Sequence, residues 1–150
     1  MIKAIVFDLD DTLYPVHVKS IDTKKVKAML LRLKKKYKLI ILSNGFTHKI
    51  MRKVKEAGYD KIVSKIYTPN LLINRKPIVN KLGKIAKEFY LKNDEILMVG
   101  DKVHTDVLAA KRAKVRCVFV TNGNKKIMFV KPDYIINSVL DLEKVLYKGV

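Results

Sequence analysis

Three carboxylates, Asp8, Asp10 and Asp11, fall within four positions near the start of the chain, followed by the hydroxyl of Thr12. They come directly after residues 2–7, an apolar run rich in β-branched side chains that reads as a strand buried on both faces. Like charge concentrated at the mouth of such a strand calls for a bound cation. In an extended chain Asp8 and Asp10 project to the same side. Together they make a cation site, and a candidate nucleophile with an acid/base partner. A polar turn accounts for one aspartate there, but not for the groups that recur downstream.

Those groups are Ser43-Asn44-Gly45, Lys76 in Arg75-Lys76-Pro77, and Asp101 with Asp106. Each falls just beyond a predicted strand or just ahead of a helix. Residues 38–42, 62–67, 95–99, 116–121 and 134–136 read as further strands. Helices are predicted over 22–37, with a stripe of Val26, Met29, Leu30, Leu33 and Tyr37, and over 47–57, closed by Gly58 as a left-handed cap. Three more are predicted, from Pro77 onward with Leu82, Ile85, Ala86 and Phe89 inward, over 105–113, and over 140–147. Alternation of this kind implies an α/β fold with a doubly wound, mainly parallel sheet covered by helices on both faces. The 150 residues are expected to form a single domain, 1–150. In such sheets the binding crevice lies outside the carboxyl ends of the strands. Three carboxylates, a hydroxyl and an ammonium converging there suit Mg²⁺ and a phosphoryl group.

Composition narrows the partners. Lys and Arg number 32 against 14 Asp and Glu, a formal charge of +18 that attracts polyanions. The lysines are scattered along every helix, so a lysine-biased proteome explains them at least as well as nucleic-acid binding does. The one cysteine, Cys117, excludes an internal disulfide and a Cys-based zinc site, and its place in a strand makes it a buried structural thiol. No apolar run approaches the ~18 residues of a membrane span, and the start carries no signal peptide. The expectation is a cytoplasmic protein with no membrane contact.

The strings Asp8-Leu9-Asp10-Asp11-Thr12, Leu42-Ser43-Asn44-Gly45, Lys76-Pro77 and Gly100-Asp101-Lys102-Val103-His104-Thr105-Asp106 resemble, in order, the four motifs of the haloacid dehalogenase superfamily of hydrolases. The resemblance covers nearly the whole chain. It implies a fold of the haloacid dehalogenase type and a Mg²⁺-dependent phosphatase that hydrolyses phosphomonoesters through an aspartyl-phosphate on Asp8. Asp10 is implied as general acid/base, with its main-chain carbonyl a metal ligand beside Asp8 and Asp101. Asp106 is implied as an acid that acts on the metal indirectly. Ser43 and Asn44 are implied to bind the phosphoryl oxygens, and Lys76 to neutralise the intermediate and fix Asp8. Members that cleave carbon–halogen bonds or phosphonates lack the aspartate two residues after the nucleophile, which is present here as Asp10.

Asp11 is assigned no chemistry, and Thr12 is expected to hold its loop through backbone hydrogen bonds. His17 in the loop beyond the first motif, His48 at the start of the second helix and His104 within the fourth motif read as solvated side chains, with Tyr14, Phe46 and His104 candidates for the substrate entrance. Lys114 stands where a glycine commonly follows the fourth helix in the family. About thirty residues separate Thr12 from Ser43, and as many separate Ser43 from Lys76; one helix and one strand use each gap. No cap domain fits, so the crevice is open unless a homo-oligomer covers it. Lys49, Arg52, Lys53, Lys102, Lys125 and Lys126 are candidates for a basic rim that favours multiply charged phosphates. The competing reading is a non-catalytic nucleic-acid-binding or scaffold protein on the same fold. The intact set of Asp8, Asp10, Ser43, Lys76 and Asp101 speaks against it.

Overall fold

The computed structural model describes residues 1–69, 78–124 and 128–150. Its centre is a six-stranded sheet: β1 (Ala4–Phe7), β2 (Lys38–Leu42), β3 (Lys65–Tyr67), β4 (Ile96–Gly100), β5 (Arg116–Val120) and β6 (Tyr134–Ile136). Every pairing is parallel and the order is β3-β2-β1-β4-β5-β6. The chain therefore winds outward from β1 in one direction, then returns to the other side of β1 and winds outward again. The strand order reverses at β1 and β4, where such sheets open a crevice.

The continuous apolar strands follow from burial on both faces. Ile5, Phe7, Ile41 and Val99 pack on one face against α1 (Thr23–Leu33), α2 (Thr47–Ala57) and α5 (Leu142–Tyr147) through Met29, Leu30, Ile50, Val54 and Leu142. Val6, Ile40, Met98 and Phe119 pack on the other face against α3 (Ile78–Glu88) and α4 (Leu108–Arg112) through Leu82, Ile85, Ala109 and Ala110. Alternate residues of each strand thus serve opposite layers. Truncating one of these aliphatic side chains to alanine costs about 2–5 kcal/mol.

The helix ends follow local chemistry. Asp22 caps α1, its side chain accepting from the N–H groups of Lys24 and Lys25 at 3.0 and 3.2 Å. Gly58 closes α2 at φ 75°. Three boundaries differ from the sequence reading. The first helix stops at Leu33 rather than near Tyr37, because Lys35 and Lys36 donate back to Arg32 and Leu33 and tighten the last turn. The third strand begins at Lys65, since Ile62 and Val63 donate to Tyr59 in a turn. The segment before α4 is a π-turn, Val103–Val107.

No domain interrupts the described residues between Thr12 and α1 or between Ser43 and Thr68, and no cap is evident among the described residues. Among the described residues no helix is long and apolar enough to cross a membrane. Cys117 is buried, which pushes its thiol up to about 11. Lys114 holds φ 56°, the left-handed conformation that a glycine would take without strain.

Candidate active site

Parallel register brings the chemistry to one end of the sheet. Phe7 is aligned with Ile41 on one side and Val99 on the other, so Asp8, Ser43 and Asp101 leave three adjacent strands together. The Asp8 N–H donates to Val99 O at 2.9 Å, carrying the ladder one residue past β1. Asp8, Asp101 and Asp106 each offer a carboxylate oxygen within 4.8 Å of the others, and all three are buried. Burial raises the Asp8 pKa well above the usual carboxylate range, and the neighbouring charge of Asp106 adds to it. Asp106 is pushed up to about 7, again by burial first. Among the described residues Asp8 Oδ2 has no hydrogen-bond partner.

Three carboxylates this close and this dry repel one another, and Asp8 Oδ2 has no donor among the described residues. A hard cation answers both deficits. The donor set is all oxygen, as Mg²⁺ and Ca²⁺ require, with no thiolate or imidazole that would favour zinc. The residues therefore fit a divalent cation, and the orphaned Asp8 oxygen is the observation that says so.

The π-turn explains how Asp106 reaches the cluster. Its own N–H donates to Lys102 O at 2.9 Å, and its Oδ2 accepts from Lys102 N–H at 3.0 Å. Thr12 does more than brace its loop: its hydroxyl donates to Asp101 Oδ1 at 3.4 Å. Lys102 is an exposed residue whose ammonium is partly desolvated beside the cluster. Burial opposes its charge, yet the carboxylates of Asp8 and Asp101 outweigh that and raise its pKa.

The alternation expected of an extended chain ends at Leu9. Its carbonyl collects the N–H groups of Thr12, Leu13 and Tyr14, at 3.3, 2.9 and 3.0 Å, and turns the chain back on itself. Asp10 consequently faces α2, where Lys53 Nζ donates to its Oδ1 at 2.8 Å. Lys53 also lies 5.7 Å from the centre of the Tyr14 ring, and Tyr14 donates to Glu56 at 2.8 Å. Lys53 is a residue that the sequence places only among candidates for a basic rim toward substrate, not beside Asp10. Its position beside Ile50 and Val54, the buried stripe of α2, is the signal that marks it.

Asp11, assigned no chemistry, is the keystone of the loop. It sits at φ 58° and is buried. Its Oδ1 accepts from the N–H groups of Val16, His17 and Val18 at 3.0, 2.7 and 2.9 Å, and its carbonyl from Asn122 Nδ2 at 2.7 Å. His17 is an exposed ring whose Nδ1 lies 3.0 Å from Asp11 Oδ2.

Ser43 is buried at the end of β2, its N–H donating to Tyr67 O at 3.1 Å, and Asn44 is exposed beside it. Phe46 is exposed, and the His104 ring stacks 5.3 Å from that of Phe129. Lys76, and with it Lys125 and Lys126 of the expected rim, lies outside the described residues.

Residues 16–120 match the sequence profile of the haloacid dehalogenase-like hydrolases. The chain belongs to that family. It is 30% identical over 109 residues to pyrophosphatase PpaX of Halalkalibacterium halodurans, covering 71% of this chain and 50% of that protein. It is 28% identical over 122 residues to glyceraldehyde 3-phosphate phosphatase of Pyrococcus furiosus, covering 78% of this chain and 51% of the other. The chain thus spans about half the length of these relatives. Among solved structures, one described as a predicted phosphoglycolate phosphatase from Haemophilus somnus superposes with a TM-score of 0.73 at 29% identity, covering 81% of this chain and 56% of that one. The family profile begins past Asp8 and Asp10, whose case rests on their geometry.

Proposed function

We propose that this chain is a phosphatase acting on phosphomonoesters, with Asp8 as nucleophile and Asp10 as general acid/base. The observation that carries the reading is the buried cluster of Asp8, Asp101 and Asp106, with its orphaned Asp8 oxygen, at the crevice where the strand order reverses. The relatives support it, because phosphate transfer to water is common to the activities in their names.

In the first step an Asp8 carboxylate oxygen attacks phosphorus, the bond from phosphorus to the ester oxygen breaks, and Asp10 gives its proton to the departing alkoxide. In the second, water attacks phosphorus, Asp10 takes its proton, and the bond from phosphorus to Asp8 breaks to release inorganic phosphate. Ser43 and Asn44 bind the phosphoryl oxygens, and Lys76 neutralises their charge. Asp8, Asp101 and the carbonyl of Asp10 would hold Mg²⁺, with Asp106 steadying the set; the ion supplies the positive charge that lets a carboxylate approach a phosphate. Asp10 is the residue that fits an ester leaving group, which needs a proton. The partner is a phosphorylated small molecule.

The test compares wild type with Asp8→Asn and Asp101→Ala on a panel of phosphorylated sugars, nucleotides and carboxylic acids. Asp8→Asn is expected to lose all turnover while keeping its melting temperature. Asp101→Ala is expected to need at least tenfold more Mg²⁺, both for activity and for thermal stabilisation of the substrate-free protein. Full activity of wild type in excess chelator, or turnover by Asp8→Asn, overturns the reading.

A further inference from the structure

We propose that Lys53 is the positioning residue for Asp10, fixing the leaving-group acid from α2. The inference rests on the proposed role of Asp10. Lys53 Nζ meets Asp10 Oδ1 at 2.8 Å, and only 15% of the lysine side chain is exposed. A lysine with that little exposure is held in place rather than solvated, and Asp10 is its one ion-pair partner among the described residues.

The pair sits within a wider clasp between the acidic loop and α2. Tyr14 is bridged to Asp10 along the backbone, and the Asp11 N–H donates to Tyr14 O at 2.8 Å. The Tyr14 ring lies against Lys53 Nζ, and its hydroxyl bonds to Glu56, three residues further along the same helix. Glu56 in turn faces Arg52 at 4.0 Å. The loop that carries the acid is thereby tied to a rigid element at two points, the Asp10 carboxylate and the Tyr14 ring. Without the first tie, the partly exposed Asp10 side chain has its rotamers free. A general acid misplaced by an ångström loses most of its effect.

The consequence is specific to the leaving group. An alkoxide leaving group depends on the proton from Asp10, whereas p-nitrophenolate departs with little help. Lys53→Met keeps the length and apolar stem of the side chain and removes the ammonium. It is expected to lower kcat/KM, which reports the first step and not the hydrolysis that both substrates share, on the order of 30-fold for an alkyl phosphate and by no more than about 3-fold for p-nitrophenyl phosphate, general acid catalysis as a whole being worth 10²–10⁴. Lys53→Arg restores most of the alkyl rate, since it replaces the donor. In an Asp10→Asn background Lys53→Met adds little further loss, because the two residues act as one unit.

Equal loss on both substrates, or losses that multiply in the double variant, overturns the proposal and leaves Lys53 a structural cation. If Lys53→Met melts well below wild type, Lys53→Arg decides, since it keeps both the stem and the charge: an alkyl phosphate rate that arginine does not restore in a folded variant overturns the proposal. Failure of the underlying phosphatase reading shows separately, as turnover by Asp8→Asn.

Discussion

Gly100, the last residue of β4, lies directly against Asp106: a Cβ at this glycine would fall 2.7 Å from Asp106 Cβ and closer still to its carboxylate. No side chain at position 100 leaves Asp106 where it is. The strand thus ends in a glycine because a carboxylate six residues later folds back over it through the π-turn.

Gly100→Ala therefore pushes Asp106 out of the acidic cluster. Overpacking at a buried position costs about 1–3 kcal/mol. The expected outcome is a melting temperature lower by several degrees and a weaker stabilisation by added Mg²⁺ than wild type shows. Unchanged stabilisation by Mg²⁺ in thermal melts would remove Asp106 from any role at the cation.

Asp11 is expected to matter for folding more than a non-catalytic residue should. Asp11→Ala leaves the N–H groups of Val16, His17 and Val18 without their acceptor and places a Cβ-bearing, non-polar residue at φ 58°. Unsatisfied buried donors cost about 1–3 kcal/mol. Asp11→Asn keeps an acceptor oxygen and tolerates the left-handed backbone, so it should cost less than half as much. Denaturant unfolding of the two variants checks the order; equal losses would mean that the carboxylate charge, not the hydrogen bonds, holds the loop.

Asp133 makes stability depend on acid. Its Oδ2 accepts from the Cys117 N–H at 2.8 Å and its Oδ1 from Lys111 Nζ at 2.9 Å. Burial acts to raise its pKa, but the Cys117 N–H and the Lys111 ammonium prevail and hold it below the usual value. A carboxyl lowered on folding stabilises fully above its unfolded value of ~3.9, and the contribution is lost as pH falls below that. Wild type should exceed Asp133→Asn by about 1 kcal/mol at pH 6, with the gap closing toward pH 3. A gap of constant size across that range would refute it.

Lys114→Gly is expected to stabilise. Lysine pays a steric cost at φ 56° that glycine does not, partly offset by the entropy that glycine brings to the unfolded chain. A net gain of about 0.5–1 kcal/mol raises Tm by roughly 1–4 °C in a chain of this size. A fall in Tm would show that Lys114 makes compensating contacts.

The sequence alone determined the alternating elements, the parallel sheet and the capless layout, because burial on both faces leaves continuous apolar strands and amphipathic helices that a local reading detects. It also placed Asp8, Ser43 and Asp101 after strands, and so at one end of any parallel sheet. Tertiary structure decided what those loops do beyond the strand ends. Alternation stops where Leu9 O gathers three N–H groups, so the turn, not the spacing, sends Asp10 toward α2. Lys53 is one lysine among many until α2 docks on β1 and β2 and brings it to that carboxylate. Asp11 shows the same division: its charge is visible in the sequence, but the three N–H groups that it binds converge only when residues 16–18 fold back over it. Contacts between residues distant along the chain leave no periodicity to read, and these are the contacts that set the orientation of the acid, the loop and the buried cluster.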